Sequence, residues 1–382
     1  MNDFYRHWMK PLLFRFDPEF VHHQTLQFLA WLKDSSCGQD FTRAVFPSTA
    51  LPTQVCGLTF PNPLGLAAGM DKNGIAIPTW EAMGFGFCEM GGVTRFPQPG
   101  NPKPRLFRVP QTEAIINRMG FNNIGADAVL SNLPPQGRPS AAPLAINIGK
   151  SKRTPLERAH EDFCYTFERL WEQGDLFVIN VSSPNTPGLR TLQDRSALHP
   201  ILKALVNANK RKVSESVSGH GPKPLFVKIS PDRETDQINE IVDLCMELEL
   251  DGIVATNTTT QRPSPNQGSR PMVYDRETGG LSGQPLRRRS TEVIRQITSR
   301  SHGKLTVIGV GGIDGPESAW EKIAAGASLC QIYSGLIFRG PGIIRSIVNG
   351  LQAQLRHHDF KSLKEAVGSN RPYQVEPKPL QP

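Results

Sequence analysis

The chain has 382 residues, of which 38% are hydrophobic and 20% charged, and its formal net charge is +8. This much apolar sequence supports one large folded core and excludes a mainly disordered protein. The positive charge favours anionic partners such as phosphate-bearing cofactors, carboxylates or acidic lipid. We do not expect nucleic-acid binding, because no dense basic run is interleaved with aromatic residues, and Arg287-Arg288-Arg289 is typical of a solvated helix face.

Residues 1–45 differ in composition from the rest of the chain. Asp17-Pro18-Glu19 predicts a helix start, with an N-cap, a first-turn proline and an acid near the positive end of the helix dipole. The helix after it carries a wide apolar surface, which either packs on the domain behind it or lies in a membrane interface. Positive and negative charges balance in this segment, so lipid binding would depend on apolar contact. The residues alone leave these alternatives equally supported.

From residue 46 onward, short apolar runs alternate with polar loops and helix-like stretches. Eight strands alternating with helices are typical of a (β/α)8 TIM barrel, an α/β fold. Thr53–Phe60 predicts a small hairpin that closes the barrel floor. The predicted strands are Pro63–Gly69, Phe85–Thr94, Leu144–Gly149, Leu176–Ser183, Leu225–Ile229, Gly252–Asn257, Leu305–Gly311 and Ser328–Ser334.

The sequence therefore predicts three parts: a helical extension (1–45), a barrel (46–352) and a C-terminal tail (353–382). The tail is Pro-rich and polar from about residue 366 and is predicted to be disordered there. No signal peptide is evident, and no run of about 18 uncharged apolar residues could span a membrane. We expect the active-site face to lie in the cytoplasm. Six cysteines are scattered without a C-x-x-C pair, so no metal site is predicted.

The carboxyl ends of barrel strands usually carry the catalytic groups. Here those positions hold amides, hydroxyls and lysines, with Asp71 as the one expected carboxylate. Such a ring suits a planar heterocycle with carbonyl and N–H edges better than carboxylate-pair hydrolysis or metal binding. Glycines at Gly311-Gly312 and Ser334-Gly335 favour a phosphate after the last two strands, although tight turns need glycine as well.

Ser183 precedes a proline, and by itself this pattern is more typical of a turn. Its place among Asn180, Asn185 and Thr186 at a strand end makes a chemical role the alternative. No histidine is near in sequence, so a Ser–His–Asp nucleophile has no visible base. A proton-accepting serine would act directly or through a relay, which Thr186 or water could supply.

Seven ordered strings resemble the second class of dihydroorotate dehydrogenases, over about residues 4 to 352. The resemblance implies an FMN-bearing barrel that oxidises (S)-dihydroorotate to orotate in de novo pyrimidine (UMP) biosynthesis and passes the electrons to a membrane quinone. The strings are Asn62-Pro-Leu-Gly-Leu-Ala-Ala-Gly-Met-Asp-Lys-Asn-Gly74, Asn117-Arg-Met-Gly-Phe-Asn-Asn123, Asn180-Val-Ser-Ser-Pro-Asn-Thr-Pro-Gly-Leu-Arg190, Ala255-Thr-Asn-Thr-Thr259, Thr278-Gly-Gly-Leu-Ser-Gly283, Ile308-Gly-Val-Gly-Gly-Ile-Asp314 and Gln331-Ile-Tyr-Ser-Gly335.

The same resemblance implies roles for individual residues. Ser183 would be the catalytic base that takes the C5 proton while hydride leaves C6, with Thr186 and Phe121 along the proton's way out. The implied substrate-binding residues are Lys72, Asn117, Arg118, Met119, Gly120, Phe121, Asn180, Asn185, Asn257 and Thr258. The implied FMN-binding residues are Ala68, Gly69, Met70, Asp71, Lys72, Gly92, Asn147, Asn180, Lys228, Thr256, Gly283, Gly312, Tyr333 and Ser334. Relatives usually carry a hydroxyl residue where this chain has Gly92, so a side-chain bond to the flavin is lost there.

For residues 1–45 the resemblance favours the membrane alternative. It implies a quinone tunnel lined by His22, Phe4, Trp8, Phe20 and Phe28, in a monomer bound peripherally at the cytoplasmic face of the inner (cell) membrane. Two other functions stay open: a non-catalytic barrel that binds phosphate or membrane as a scaffold, and a first-class relative that passes electrons to fumarate or NAD. The first class has cysteine at the position of Ser183, which counts against the second of these.

Overall fold

The structure is a computed structural model, and it describes residues 2–133, 142–216, 221–262 and 276–374. Eight parallel strands close into a barrel, so the predicted TIM barrel is confirmed. In order around the barrel they are β3 (Leu64–Leu66), β4 (Phe87–Val93), β7 (Leu144–Ile148), β8 (Leu176–Asn180), β9 (Leu225–Ile229), β10 (Gly252–Ala255), β12 (Thr306–Val310) and β13 (Leu329–Ile332). Because parallel strands are covered on both faces, their sequences are apolar throughout rather than alternating.

Helices follow the strands around the outside of the barrel. The helices of the barrel and the C-terminal region are α5 (Ile77–Ala82), α6 (Ala126–Leu130), α7 (Ala159–Leu170), α8 (Arg195–Glu215), α9 (Thr235–Glu247), α10 (Arg287–Ser301), α11 (Pro316–Ala325), α12 (Ser334–Arg339), α13 (Ile343–His357) and α14 (Leu363–Ala366). Their buried faces pack on the strands; α10, for example, buries Val293, Ile294 and Ile297.

The predicted hairpin is present as β1 (Thr53–Val55) and β2 (Leu58–Phe60), which pair antiparallel. Its Phe60 ring enters the barrel interior and meets Phe87 edge to face, with the ring centroids 5.4 Å apart. The hairpin thus closes the amino-terminal end of the barrel and leaves the carboxyl ends of the strands for a site.

A second sheet lies over that carboxyl end, in segments outside the predicted strands. Strands β5 (Leu106–Val109), β6 (Ala114–Asn117) and β11 (Gly280–Gly283) form it, all antiparallel. Strand β11 pairs with β6 across more than 160 residues of sequence. This sheet carries Asn117, which pairs with Gly280, and Gly283, which pairs with Ala114, above the barrel.

The N-terminal region is helical, with α1 (Asn2–Phe4), a π-helical turn (Tyr5–Met9), α2 (Lys10–Leu13), α3 (Pro18–Lys33) and α4 (Ser36–Val45). The predicted start of α3 is confirmed, because the Asp17 side chain accepts a hydrogen bond from the Phe20 amide at 2.9 Å and Pro18 is the first helical residue. The buried side of α3 carries Leu26, Leu29 and Leu32, and the helix packs against α5. Among the described residues, no helix is both long and apolar enough to cross a membrane.

The predicted disorder from residue 366 is wrong for residues 366–374, which pack against α11 and α13. The Trp320 indole donates to the Arg371 carbonyl at 2.9 Å, and the Gln374 amide donates to the Gln354 side chain at 2.8 Å. Through these two bonds, polar backbone groups of the segment are paired with side chains of the two helices. Residues 375–382 lie outside the described part of the chain.

Candidate active site

A cavity opens at the carboxyl end of the barrel, under the second sheet. It has about 1000 Å³ of empty space, its open mouth included. Most residues assigned from sequence line it: Ala68, Gly69, Lys72, Gly92, Asn117, Met119, Gly120, Phe121, Asn180, Ser183, Asn185, Lys228, Thr256, Asn257, Thr258, Gly283, Gly312, Tyr333 and Ser334. The structure therefore brings together residues that are up to about 266 positions apart.

Ser183 lies in a turn that the chain uses twice. Its Oγ accepts a hydrogen bond from the Asn185 amide at 3.3 Å, and the Oγ of Ser230 accepts from the Asp232 amide at 3.2 Å after the next strand. Both serines precede a proline. Ser183 lines the cavity and is 8% exposed, whereas Ser230 is 1% exposed and does not line it. The turn thus explains why serine suits both positions, and only at Ser183 is the hydroxyl available to a ligand.

A chain of side-chain amides runs around the cavity wall from β7 to β10. Asn180 Nδ2 donates to Asn147 Oδ1 at 3.0 Å, and Asn257 Nδ2 donates to Asn180 Oδ1 at 3.2 Å. The chain ends where the Thr258 amide donates to Asn257 Oδ1 at 2.8 Å. These bonds hold the amides in fixed orientations, which is what recognition of a heterocycle edge needs.

A carboxylate that the sequence analysis missed lies behind this wall. Glu89, in the middle of β4, is fully buried and forms an ion pair with Lys228, Nζ to Oε1 at 3.3 Å. It also accepts hydrogen bonds from Asn147 Nδ2 at 2.6 Å and from Gln331 Nε2 at 2.5 Å. The sequence could have indicated Glu89, because it is the one acid inside an otherwise apolar strand and such an acid is costly to bury unless it is paired. Asp71 is therefore not the one carboxylate of this end of the barrel.

Lys72 lies where the cavity meets the N-terminal helix α3. It lines the cavity and donates to the Gly69 carbonyl at 2.9 Å. Burial, together with the positive charge of Arg105, lowers the pKa of Lys72 to about 8. Glu19 of α3 binds the same Arg105 at 2.7 Å. Although burial acts to raise it, these contacts with Arg105 hold the pKa of Glu19 below its ordinary value.

Glycines at the ends of β11, β12 and β13 form a backbone cradle at one end of the cavity. Gly283 and Gly312 have φ values of +102° and +70°, which disfavour other residues. A Cβ on Gly312 would lie 2.5 Å from the Cα of Arg287. Tyr333 and Ser334 complete the cradle, and burial raises the pKa of Tyr333 to about 12. Backbone this close to the cavity is typical of phosphate sites in barrels.

Two buried polar atoms in cavity-lining residues have no hydrogen-bond partner among the residues that the structure describes. They are Thr256 Oγ1 and Gln331 Oε1. Buried polar groups are rarely left unpaired, and their position indicates a ligand that supplies polar atoms there.

Five residues assigned from sequence do not line the cavity. The Asp71 carboxylate instead accepts the backbone amides of Ile75 and Ala76 at 3.0 and 2.8 Å, and its burial raises its pKa. The Arg118 guanidinium binds Glu277 at 2.5 Å. The Asn147 side chain does not reach the cavity but hydrogen-bonds to Asn180 and Glu89 behind it. The others, Met70 and Thr186, are buried beside the cavity.

Phe121 fills the space next to Gly92. A Cβ on Gly92 would lie 2.7 Å from Phe121 Cε1 and 2.9 Å from Asn147 Oδ1. Gly149 approaches the same ring from the next strand, with a Cβ position 3.1 Å from Phe121 Cζ. The Phe121 ring therefore occupies the space that a side chain at position 92 would need.

The aromatic residues assigned to a tunnel lie mostly on the outer surface. Phe4, Trp8, Phe20 and Phe28 are each more than half exposed. His22, on the same helix, is turned toward the cavity side: burial and the charge of Lys72 lower its pKa to about 3. This region thus offers an apolar exterior next to a polar junction with the site.

Comparison with known proteins agrees with the geometry. The family described as dihydroorotate dehydrogenase matches residues 50–355. A dihydroorotate dehydrogenase (quinone) from Gloeobacter violaceus is 51% identical over 96% of this chain and 99% of its own, and one from Thermosynechococcus vestitus is 50% identical over 92% and 97%. The crystal structure of DHODH from Eimeria tenella in complex with ferulenol superposes with a TM-score of 0.81 at 36% identity, covering 93% of this chain and 96% of that one.

Fold and site together define an α/β-barrel protein with a ligand cavity at the carboxyl ends of its strands. The chain belongs to the dihydroorotate dehydrogenase family, a family of oxidoreductases.

Proposed function

We propose that the protein oxidises (S)-dihydroorotate to orotate with FMN as the hydride acceptor and a membrane quinone as the final electron acceptor, in pyrimidine biosynthesis. The observation that carries this proposal is that Ser183, Lys72 and the amides of Asn117, Asn180 and Asn257 line one cavity. Relatives about half identical over almost the whole chain are named dihydroorotate dehydrogenase (quinone).

The cavity residues fit FMN. The Gly283–Gly312 cradle with Ser334 suits its phosphate, and Lys228 supplies positive charge at the opposite wall. Thr256 Oγ1 and Gln331 Oε1, which have no protein partner, suit the polar edge of its ring. When bound, FMN supplies the two-electron acceptor that the oxidation needs.

Ser183 is the base in the proposed reaction. It takes the proton from C5 of dihydroorotate while hydride leaves C6, so that the C5=C6 double bond of orotate forms. The Asn185 amide occupies one lone pair of Ser183 Oγ, and the hydroxyl keeps the other for the incoming proton. Phe121 lines the cavity, and Thr186 follows Ser183 in the same loop. Both are assigned to the proton's way out.

The substrate's carboxylate and ring amides match the remaining groups. Lys72 supplies a cation, and the side chains of Asn117, Asn185 and Asn257 supply donors and acceptors. Asn185 Nδ2 donates to Asn117 Oδ1 at 3.0 Å. The serine loop and the second sheet are therefore linked through two residues proposed to hold the substrate.

The N-terminal helices are proposed to bind the membrane surface and to admit the quinone. Their exposed aromatic residues suit the interface of a bilayer, where amphipathic helices bury apolar side chains. We place the protein, as a monomer, peripherally at the cytoplasmic face of the inner membrane. His22 lies between this surface and Lys72, where a quinone head group would approach the flavin.

The test is anaerobic addition of dihydroorotate to the purified protein. We expect a yellow protein with flavin absorbance, bleached by dihydroorotate and restored by a lipophilic quinone. A colourless protein, or a flavin that dihydroorotate does not reduce, contradicts the proposal. Recovery with fumarate or NAD but not with quinone would contradict only the assigned electron acceptor.

A further inference from the structure

Glu89 is fully buried. Of the three side chains that donate to it, Lys228 and Gln331 line the cavity, and Asn147 is bound to Asn180, which lines it. Lys228 and Asn147 share its Oε1, at 3.3 and 2.6 Å, and Gln331 binds its Oε2 at 2.5 Å. A carboxylate accepts hydrogen bonds and donates none. Each partner must therefore turn a donor toward Glu89 and present its remaining groups elsewhere.

This constraint passes along the amide chain described above. Because Asn147 turns its Nδ2 to Glu89, its Oδ1 faces Asn180, and the same order repeats at Asn257. The far end of the chain is fixed independently, since the Thr258 backbone N–H can only donate to Asn257 Oδ1. Glu89 at one end and Thr258 at the other require the same donor-to-acceptor order along the chain. The three side-chain amides therefore have one set of orientations that satisfies both ends.

The constraint also sets what Gln331 offers to a ligand. Gln331 lines the cavity, and with its Nε2 bound to Glu89 its Oε1 has no partner in the described part of the chain. An unpaired carbonyl oxygen there suits an N–H of a planar heterocycle. Burying such an acceptor without a partner is costly, which favours a ligand that pairs it.

We propose that Glu89 is a positioning residue for the bound flavin: it fixes the polarity of the amide wall and balances the charge of Lys228. This inference rests on the proposed function, because the ligand in question is FMN. Glu89 does not itself line the cavity and acts through Asn147, Lys228 and Gln331.

Glu89→Gln has a specific expected consequence. Lys228 can only donate, and the amide chain fixed at Thr258 holds Asn147 with its Nδ2 toward position 89. The new carbonyl must therefore stay on their side, and the new NH₂ faces Gln331. Gln331 then has to turn, and it presents a donor to the ligand instead of an acceptor. We expect FMN to dissociate from the diluted holoenzyme at least tenfold more readily, measured by flavin fluorescence.

The same substitution leaves the Lys228 charge unbalanced, which stabilises the more negative reduced flavin. We expect the equilibrium constant for two-electron reduction to rise at least tenfold, a shift of about 30 mV to more positive potential. An anaerobic titration against a reference dye measures it. A role of Glu89 in stability alone would not move this potential.

The exchange variant E89Q/Q331E is the rescue. The amide at position 89 accepts from Lys228 and Asn147 and donates to the acid at position 331, whose second oxygen again offers an acceptor to the cavity. We expect it to recover most of the FMN affinity and to bring the potential back toward that of the wild type.

Asp162→Asn is the control, because Asp162 is an equally buried carboxylate that binds the Ser151 amide away from the cavity. We expect no change in FMN affinity or flavin potential in this variant.

Wild-type FMN affinity and potential in Glu89→Gln would overturn the inference, and so would an exchange variant no better than Glu89→Gln. If both variants fail to fold while Asp162→Asn folds, the role of Glu89 is confined to stability, and the inference is wrong. A wild-type protein that binds no FMN would overturn the proposed function together with this inference, whereas failures confined to the variants overturn the inference alone.

Discussion

The N-terminal helices and the barrel depart from the usual distribution of side chains in opposite ways. Among the described residues, ten large apolar side chains are exposed, and nine of them lie between Phe4 and Phe41. The barrel instead buries charged groups, each with partners: Glu89 with Lys228, and Lys322 with the Arg287 carbonyl at 2.7 Å. Burial of Lys322 lowers its pKa to about 7.

Both departures cost stability if the protein is considered alone. A concentrated apolar surface favours aggregation, and buried charges lose their hydration. Each makes sense with a partner that the chain itself does not supply. The exposed aromatics suit an apolar phase outside the protein, and the Glu89–Lys228 pair is proposed to set the polarity of a cavity for a ligand inside it.

The largest effect is expected where the barrel's polar ring meets the substrate. Ser183→Ala removes the proposed base while leaving the cavity's shape, and a general base contributes roughly 100- to 10,000-fold in rate. We expect flavin reduction by dihydroorotate to slow by that range in anaerobic stopped-flow measurements. Ser183→Cys should retain part of the rate, with a pH profile shifted to that of a thiol.

Ser230→Ala is the matched control, because Ser230 forms the same serine–proline turn outside the cavity lining. We expect its flavin reduction to slow by less than tenfold, since no base is lost. Equal losses in both variants would show that the turn, and not the hydroxyl in the cavity, limits the reaction.

The sequence predicted the barrel for a physical reason, and the family resemblance supplied most of the residues that line the cavity. Each barrel strand is mainly apolar, and each ends in a short polar string, so local pattern was enough to place strand ends such as Asn180–Ser183. The second sheet was missed because β11 is only Gly-Leu-Ser-Gly, and it is a strand by virtue of pairing with β6. Such a partner is set by the tertiary fold and carries no local signal.

Side-chain direction was the other part that sequence did not decide. Asp71 was expected in the ring, but its carboxylate caps the backbone of residues 75 and 76. Glu89 was passed over because it lies inside a strand and not at its end. Tail residues 366–374 were expected to be disordered from their composition, yet the Arg371 carbonyl and the Gln374 amide find partners on helices far away in sequence.

The second prediction concerns the apolar exterior. Deleting residues 1–45 would also uncover the core face of Leu26, Leu29 and Leu32 and break the Glu19–Arg105 ion pair, so surface substitutions are the sharper test. Trp31 and Phe41 are 66% and 62% exposed. We expect Trp31→Ser/Phe41→Ser to partition at least tenfold less onto vesicles containing phosphatidylglycerol, because roughly 1.5–3 kcal/mol accompanies full burial of one large apolar side chain.

Ile124→Ser is the control for that measurement. Ile124 is 40% exposed and is the one exposed large apolar residue described outside residues 1–45. We expect its vesicle binding to equal that of the wild type. The double variant should reduce its flavin with dihydroorotate at the wild-type rate, since both residues are remote from the cavity lining. Unchanged sedimentation of the double variant with vesicles would contradict the membrane assignment.

The smallest expected effect lies where the two regions meet, at Lys72. Its pKa of about 8 means that the ammonium group is charged below this pH and neutral above it. Because the cation is proposed to hold the substrate's carboxylate, kcat/KM for dihydroorotate should fall as pH rises, by roughly eightfold between pH 7.5 and 9 if this one ionisation governs binding. The measurement is the pH profile of kcat/KM at saturating quinone.

Glu19→Gln tests whether the N-terminal helix sets that pKa. The negative charge of Glu19 raises the pKa of Lys72, so its removal lowers that pKa further and moves the falling limb of the profile to lower pH. Glu240→Gln, at an exposed position on α9, should leave the limb in place. A limb that stays at the same pH in Glu19→Gln would mean that the helix does not influence the substrate's cation, and that the two regions meet without electrostatic coupling. A limb that moves would show that a residue of the proposed membrane-binding helix affects the affinity of the barrel's site.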